Sequence, residues 1–255
     1  VESLSWHNAD PFGVSLEQVM LEVRAGEIVG IAGVAGNGQD ELLALLSGEQ
    51  RLARDQSARI RFLDAPVAHL APDARRRLGM TFVPAERLGH GAVPAMSLAD
   101  NGLLTAFQQE GMVNNGLIRH SRVEAFARRI IETFAVKTPG THTPARSLSG
   151  GNLQKFILGR EILQQPKLLI AAHPTWGVDV GAAAAIHRAL IELRDAGAAI
   201  LVISEDLEEL FQISDRIGAL SHGRLSPLQP TAATSATDVG RWMAGQFDHP
   251  TTTAA

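Results

Sequence analysis

The chain has 255 residues, 45% of them hydrophobic and 20% charged, so it can bury the core of one large domain or of a domain with an inserted subdomain. Its formal net charge of −4 argues against a nucleic-acid-binding surface, which usually carries a basic excess. The absence of cysteine excludes disulfides, thiolate zinc sites and cysteine nucleophiles.

No apolar run in the sequence approaches the roughly 20 residues that a membrane span needs. The first residues have neither the basic segment nor the apolar segment of a signal peptide. The chain starts with Val1 rather than Met, so we expect it to be a domain of a longer polypeptide, although N-terminal processing would give the same start.

The predicted elements begin with strands and a glycine-rich loop. Two alternating stretches predict strands at 14–23 and Glu27–Ala32, and the second strand enters a loop at 33–38. The spacing of leucines then predicts a helix at Gln39–Ser47, and a further strand is expected at 59–63.

The next region contains short helices around one strand. Pro72 begins a predicted helix, because proline fits the first helical position. A strand is expected at Met80–Val83, before a loop dotted with glycine and proline. Ser97 is expected to cap a helix together with Asp100, and residues 121–135 predict an amphipathic helix.

The second half alternates helices and strands. After a helix from Ser149 to about residue 163, we expect strands at 167–171, 198–204 and 217–220, and helices at 181–195, 207–214 and 237–245. The pattern indicates one α/β domain over 1–246, with a core and β subdomain at about 1–93 and 161–225 and a helical subdomain at about 94–160. Residues 226–255 are expected to form a tail with the last short helix, disordered at 250–255.

The loop at 33–38 has the context of a phosphate-binding loop, because it follows an apolar strand and opens a helix. Its glycines would let backbone N–H groups converge on a phosphate; a tight strand–helix turn is the alternative. The candidate nucleotide-binding residues are Gly33, Gly36, Asn37, Gly38, Gln39, Asp40 and Glu41.

Two residues of this loop depart from the phosphate-loop pattern. Gln39 stands where a lysine should neutralise phosphates, and a charge-assisted hydrogen bond is worth about 1.5–3 kcal/mol against about 1 kcal/mol for a neutral one. Asp40 stands where a hydroxyl should hold Mg²⁺. We therefore expect weak or absent triphosphate binding at this loop.

A second anion site is predicted at the start of another helix. A serine hydroxyl and two glycine N–H groups at a helix N-terminus can meet a phosphate, although such glycines are often only a cap. The residues of this segment are Leu148, Ser149, Gly150, Gly151, Asn152 and Gln154.

Together these segments resemble the ATP-binding cassette (ABC) family, over roughly residues 1 to 246. Leu148–Gln154 resembles the family's signature motif. Residues 168–175 resemble the strand that normally ends in Asp-Glu-Pro-Thr, residues 177–181 resemble the D-loop with Asp179 at its aspartate, and residues 200–206 resemble the switch strand. The resemblance implies a P-loop NTPase cassette with a RecA-like core, an N-terminal antiparallel β subdomain and a helical signature subdomain.

Relative to this family, the positions that should act in hydrolysis are substituted. Ala172 replaces the Mg²⁺-linked aspartate, His173 replaces the glutamate that polarises water, and Glu205 replaces the switch histidine. Ala85 stands where the Q-loop glutamine is expected. His173 could act as a base, but a packed or surface histidine is the favoured interpretation. The resemblance therefore implies that no intact catalytic set and no metal site remain.

The combined motifs are most similar to the second cassette of tandem ATPases that serve simple-sugar and nucleoside importers. This resemblance implies ATP, with Mg²⁺, held at the partner cassette, transmembrane permease subunits touching the face around 86–100, and a solute-binding protein met only indirectly. It implies a peripheral position on the cytoplasmic face of the bacterial inner membrane and no nucleic-acid partner. Trp176 departs from the subgroup, and either Trp6 or Phe12 is the candidate for stacking on adenine.

Three alternatives stay open. The domain could be a self-sufficient ATPase in which His173 or Asp40 has a new role. It could belong to an ABC protein that is not a transporter, or it could be a dimerisation module that never senses nucleotide.

Overall fold

The computed structural model describes residues 1–107 and 111–247. The strands are β1 (Leu4–Trp6), β2 (Leu16–Val19), β3 (Glu27–Ala32), β4 (Arg61–Phe62), β5 (Ala65–Pro66), β6 (Met80–Val83), β7 (Val113–Asn114), β8 (Leu117–Ile118), β9 (Leu168–Ala172), β10 (Ala199–Ser204), β11 (Arg216–Ser221), β12 (Arg224–Leu225) and β13 (Gln229–Pro230). The α-helices are α1 (Gln39–Ser47), α2 (Pro72–Leu78), α3 (Leu98–Ala106), α4 (His120–Thr133), α5 (Gly150–Ile162), α6 (Val180–Asp195), α7 (Leu207–Ile213) and α8 (Ala236–Met243).

The chain forms two compact units. Among the described residues, the first contains Val1–Glu22, Val29–Ala71 and 203–247, and the second contains Val23–Ile28, 72–107 and 111–202. The boundaries between them fall inside β3 and β10. The proposed division into a core and a helical subdomain at about 94–160 remains a prediction.

The first unit is built around β3 and β11, which run parallel. Arg216 lies opposite Val29 and Ala219 opposite Ala32, while β12 and β13 pair with β11 in the antiparallel direction. β1 and β2 form a separate antiparallel pair. The strand β3 is buried almost throughout, as expected for a parallel strand covered on both faces. This buried strand therefore fixes the position at which the following loop begins.

The second unit places parallel strands beside a group of helices. β6 pairs with β9, with Met80 opposite Leu168 and Val83 opposite Ala171. The helices α3, α4 and α5 pack on one another. The apolar face of α4 is buried at Val123, Phe126 and Ile130, so the predicted amphipathic helix is confirmed.

Close packing inside the second unit depends on a glycine. A Cβ on Gly159 of α5 would lie 2.5 Å from Cδ2 of Phe134, which follows α4 directly. This is inside normal contact distance, so the missing side chain lets the aromatic ring lie against the helix backbone.

Several predicted elements agree with the structure. β3, β6 and α1 have the predicted bounds. Ser97 caps α3 by accepting a hydrogen bond from the N–H of Asp100. The tail helix is α8, whereas the predicted disorder at 250–255 lies outside the described residues.

Other predictions differ from the structure. The strand predicted at 14–23 is only β2, and the strand predicted at 59–63 is only β4. The second is shortened because Arg54–Arg59 forms a 3₁₀ helix and Leu63 and Asp64 have positive φ angles of 48° and 63°, which make a turn. The hairpin β7–β8 was not predicted, although Asn115 and Gly116 at its turn, with φ of 49° and 78°, are the residues typical of such hairpins.

Among the described helices, none is both long enough and apolar enough to cross a membrane.

Candidate functional site

The phosphate loop in the first unit depends on glycine conformations. Gly36 and Gly38 have φ angles of 80° and 107°, and Gly38 is the N-cap of α1 without a side-chain cap. A Cβ on Gly38 would lie 3.0 Å from Cδ2 of Leu16, whereas nothing lies within 4 Å of a Cβ on Gly36. The loop therefore has left-handed turns of the kind that let backbone N–H groups converge on an anion.

The side chain of Gln39 fills the inside of this loop. Its Nε2 donates to the carbonyl oxygen of Val34 at 2.9 Å, and its Oε1 accepts from the N–H of Asn37 at 3.0 Å. Gln39 is 7% exposed, and a Cβ on Gly33 would collide with Nε2. The glutamine thus braces the loop internally, at the position where a lysine would extend towards a phosphate.

A second side chain reaches the loop from the end of β10. Oε1 of Glu205 accepts a hydrogen bond from the N–H of Ala35 at 2.8 Å. The residues lie 170 positions apart in the chain. The structure therefore brings the predicted switch position to the predicted phosphate loop.

The remaining candidates at this loop have separate environments. Oδ1 of Asn37 accepts from the N–H of His222 at 2.9 Å, which ties the loop to the turn after β11. The Glu41 carboxylate accepts from Nδ2 of Asn8 at 3.2 Å and from the N–H of Val14 at 2.9 Å. These contacts give Glu41 a role in holding the N-terminal segment. Asp40 is exposed.

The adenine-stacking candidates also belong to the first unit. Trp6 lies in β1 and is half-buried, and Phe12 is 97% exposed. The choice between them stays open.

The loop residues do not fit the phosphate and Mg²⁺ that the fold family implies. Two N–H groups of the loop, those of Ala35 and Asn37, are already bonded to side-chain oxygens of the chain. No group of three or more His, Cys, Asp or Glu side chains that could hold a metal ion exists among the described residues. The loss of charge chemistry at this loop remains a prediction.

The signature segment in the second unit begins α5. Ser149 is exposed and is the N-cap, and its Oγ accepts from the backbone N–H of Asn152 at 3.4 Å and from Nδ2 of Asn152 at 2.9 Å. Oδ1 of Asn152 accepts from the N–H of Lys137 at 2.8 Å. The serine hydroxyl is an acceptor in both contacts, so its proton can be donated to an approaching ligand.

The two glycines of the signature segment have different neighbours. A Cβ on Gly150 would lie 2.7 Å from Nη1 of Arg87, and a Cβ on Gly151 would lie 3.5 Å from Cα of Val178. Leu148, immediately before the cap, is half-buried. At Gly151, the backbone of the first turn of α5 is therefore in contact with the backbone of the segment before α6.

Gln154 connects the signature helix to the turn after β9. It is 1% exposed, and its Nε2 donates to the carbonyl oxygens of His173 at 3.4 Å and Pro174 at 3.0 Å. Its Oε1 accepts from Nε of Arg87 at 3.0 Å. A single buried amide therefore fixes the positions of three segments.

Arg87 is a site residue that the sequence reasoning missed. Its Nη2 donates to the carbonyl oxygen of Trp176, and its guanidinium lies 5.9 Å from the centroid of the Trp176 ring. Burial lowers the pKa of Arg87, but an arginine stays protonated at neutral pH. The only sequence signal was a basic residue in the loop directly after a buried strand.

Two positions at which the resemblance predicts substituted hydrolysis residues lie at the end of β9. Ala172 is buried and His173 is half-buried, with a φ of 46°. The His173 ring lies 6.1 Å from the Trp176 ring, which is 69% exposed. His173 is therefore a turn residue with an aromatic neighbour, while Ala85 is half-buried after β6.

Asp179 is the N-cap of α6. Its Oδ1 accepts from the N–H of Ala182 at 2.9 Å, and this hydrogen bond is the main reason that the pKa of Asp179 lies below its ordinary value. Lys155 adds a smaller favourable charge. The geometry thus gives Asp179 a capping role directly after the turn that contains Trp176.

A buried charged cluster supports the signature helix from its other end. The Glu161 carboxylate forms ion pairs with Nη1 of Arg76 at 2.6 Å and with Nε of Arg160 at 2.8 Å. Burial raises the pKa of Glu161, but the two guanidiniums outweigh it and hold that pKa below its ordinary value. Arg160 also donates to the carbonyl oxygen of Gly91 at 2.9 Å and to that of Asn101 at 3.3 Å.

The buried side chain of Asn101 holds the loop before α3. Its Oδ1 accepts from the N–H of Val93 at 2.8 Å, and its Nδ2 donates to the carbonyl oxygens of Val93, Met96 and Ser97 at 3.0–3.2 Å. Asn101 is 0% exposed. The loop is thus fixed by one amide, which the sequence reasoning did not identify.

Each compact unit therefore contains its own part of the predicted site. The first brings the phosphate loop and Glu205 together. The second brings the signature segment together with Arg87, the turn at His173–Trp176 and the cap Asp179.

The chain is similar in sequence to a known protein family and to several curated proteins. Residues 16–176 match the family described as ABC transporter. The chain is 40% identical over 231 residues to the guanosine import ATP-binding protein NupO of Bacillus subtilis, covering 91% of this chain and 45% of that protein. It is 37% identical over 232 residues to the nucleoside import ATP-binding protein NupA of Lactococcus lactis, covering 91% and 45%. It is 38% identical over 213 residues to the ribose import ATP-binding protein RbsA 1 of Rubrobacter xylanophilus, covering 83% and 42%.

The chain thus spans less than half the length of these curated relatives. Among solved structures it is similar to the ATP-binding cassette MJ0796 in a dimeric post-hydrolysis state bound to ADP and Pi, with a TM-score of 0.74, 18% identity, and coverage of 90% of this chain and 97% of that one. The predicted P-loop NTPase cassette fold, with a mixed sheet and helices, is confirmed. The chain belongs to the ABC transporter family.

Proposed function

We propose that this chain is the second cassette of a tandem ATP-binding protein in an importer for nucleosides or simple sugars. In this proposal the chain contributes its signature segment to ATP held by the other cassette, and its own nucleotide site is degenerate. The observation that carries the proposal is the exposed, capped N-terminus of α5 at Ser149, in a chain whose phosphate loop is closed by its own side chains.

The names of the relatives support the substrate class. The proteins that match over 91% of the chain are described as guanosine and nucleoside import ATP-binding proteins, and a ribose importer component matches over 83%. The aligned residues cover only 42–45% of each relative, so each relative is about twice as long as this chain. That length has room for a second cassette of similar size, which supports the tandem arrangement.

The geometry of the signature segment supports its role towards a phosphate. The hydroxyl of Ser149 accepts two hydrogen bonds from Asn152 and keeps its proton for donation. The first-turn N–H groups of α5 and the positive end of the helix favour an anion at the same point. When the cassettes close, Ser149 and the N–H groups of Gly150 and Gly151 would donate to the terminal phosphate of the partner's ATP.

The substituted positions support the loss of hydrolysis at the chain's own site. Phosphoryl transfer depends on positioned charges and an oriented water. Gln39 supplies no cation, Ala172 supplies no metal ligand, and Glu205 adds a negative charge. In this proposal Mg²⁺ and the attacking water belong to the partner cassette, and Asp179 connects the two sites through the segment that it caps.

We place the permease contact on the loop after β6. Leu88, Val93 and Met96 are 38–39% exposed in this segment although they are apolar. Exposed apolar side chains beside charged ones are typical of protein contacts. This face would join the transmembrane subunits at the cytoplasmic side of the bacterial inner membrane, and a solute-binding protein would act only through those subunits.

The test uses the full-length tandem protein with its permease in proteoliposomes. We expect Ser149→Ala to lower ATPase activity and solute uptake at least about tenfold. Removing one hydrogen-bond donor to a transition state usually lowers kcat by about 100-fold or more. Ser147→Ala is the matched control, because Ser147 is also exposed and lies just before the α5 cap; it should retain wild-type activity.

Equal activity of Ser149→Ala, Ser147→Ala and the wild type would overturn the proposed role. ATP-independent association of the two cassettes, measured by crosslinking with and without ATP, would instead favour a dimerisation module.

A further inference from the structure

The phosphate loop of the first unit already holds an anion of the chain itself. The N–H of Ala35, at the centre of the loop, donates to the carboxylate of Glu205 at 2.8 Å. The N–H of Asn37 donates to the amide oxygen of Gln39 at 3.0 Å. Two of the backbone donors that a phosphate would use are therefore bonded to side-chain oxygens.

The backbone around Glu205 is fixed on both sides. Oγ of Ser204 is buried and donates to the Glu209 carboxylate at 2.8 Å, while the N–H of Asp206 donates to that same Oγ at 3.1 Å. Asp206 caps α7 by accepting from the N–H of Glu209 at 3.1 Å. The Cα of Glu205 is thus held between a buried strand and a capped helix, and its side chain extends to the loop.

The chemistry of this contact is that of a bound phosphate. A carboxylate oxygen and a phosphate oxygen are both anionic acceptors, and a charge-assisted hydrogen bond to an N–H group is about twice as strong as a neutral one. The glycine-rich turn and the N-terminus of α1 favour either anion. A phosphate entering the loop would have to displace the carboxylate and would then lie beside its negative charge.

We propose that Glu205 is a specificity-determining residue, an internal anion that occupies the phosphate loop and excludes nucleotide phosphates from it. The inference rests on the proposed function only for the identity of the excluded ligand, a nucleoside phosphate. It does not depend on the signature role of Ser149, because it concerns the other unit of the chain.

Gln39 has a different part in this arrangement. Its amide bonds Val34 and Asn37 from inside the loop, so it keeps the loop in shape whether or not an anion is present. Removing the carboxylate of Glu205 alone should therefore free the N–H of Ala35 and leave the shape of the loop unchanged.

The test measures binding of inorganic pyrophosphate and of ADP to the 255-residue chain by calorimetric titration. We expect Glu205→Ala to bind pyrophosphate at least about tenfold more tightly than the wild type. Glu205→Gln should give a smaller gain, because its amide oxygen still accepts from Ala35 but carries no charge. Glu208→Gln is the matched control: it removes the same charge from an exposed position three residues further on, in the first turn of α7.

A second measurement follows the Ala35 amide directly. In proton–nitrogen spectra, the Ala35 resonance should shift in Glu205→Ala and remain in place in Glu208→Gln. Thermal unfolding establishes that each variant is folded, and Glu205→Gln, which preserves shape, carries the test if the alanine variant unfolds.

Pyrophosphate affinities within twofold of the wild type for both Glu205 variants would overturn the proposal. An unchanged Ala35 resonance in the folded Glu205 variants would overturn it as well. A failure of the Ser149→Ala test in the tandem protein would leave these outcomes unaffected, so that failure can be told apart from a failure of the Glu205 proposal.

Discussion

Nε of Arg87 donates a hydrogen bond to Oε1 of Gln154 at 3.0 Å, and the same guanidinium donates to the carbonyl oxygen of Trp176. The loop after β6, the signature helix α5 and the segment before α6 are therefore joined through one side chain. Because Gln154 is buried, its oxygen has no access to water that could replace the arginine.

We expect Arg87→Ala to lower the free energy of unfolding by about 1–2 kcal/mol, since it leaves the buried oxygen of Gln154 without its donor. Urea unfolding of the chain measures this change. Arg77→Ala serves as the control, because Arg77 is exposed and makes only an i,i+4 ion pair with Asp73, which is worth about 0.3–0.5 kcal/mol. Equal losses for the two variants would contradict the bridging role.

The buried cluster around Glu161 predicts a larger effect. Glu161→Gln removes the charge that faces both Arg76 and Arg160, and we expect a loss of about 3 kcal/mol, at the lower end of the range for breaking a buried ion pair. Glu132→Gln on the exposed side of α4 is the control and should change stability by less than about 0.5 kcal/mol.

The same cluster gives a dependence on pH. The pKa of Glu161 is lowered in the folded chain, so its stabilising contribution is present above its ordinary pKa and is lost as the pH falls through the folded value. The stability difference between the wild type and Glu161→Gln should therefore shrink below about pH 4. A difference that stays constant from pH 7 to pH 3 would contradict the direction of this shift.

Gly159 provides a test of packing. An added Cβ would lie 2.5–2.9 Å from three ring atoms of Phe134, so Gly159→Ala should destabilise the chain by about 1–3 kcal/mol through overpacking. Gly140→Ala is the matched control in the same unit, because nothing lies within 4 Å of its Cβ. Adding Phe134→Leu to Gly159→Ala should recover part of the loss; if it does not, the ring is not the cause.

The local parts of the fold could be predicted from the sequence. The bounds of β3 and α1 and the cap at Ser97 follow from apolar spacing and from hydrogen bonds between residues close in the chain. The same holds for Ser149 at the start of α5. These features depend on interactions between residues that are close in the chain, so they can be predicted from the order of the residues alone.

The hydrogen bonds between distant residues of the candidate site could not be predicted in this way. Ala35 and Glu205 lie 170 positions apart, and Arg87 and Gln154 lie 67 apart. The sequence identified Glu205 as a substitution, but its partner depends on how β10 is placed by the folded chain. The hairpin turn at Asn115–Gly116 is a local signal, but it lies in the turn residues and not in the apolar periodicity.

The single amide of Asn101 has a consequence for any protein that docks on the loop before α3. The backbone at Val93, Met96 and Ser97 is already ordered by this amide, and the side chains of Val93 and Met96 extend outward from it. A partner at this loop would meet a preformed backbone, so the conformational entropy that this loop loses on association would be small.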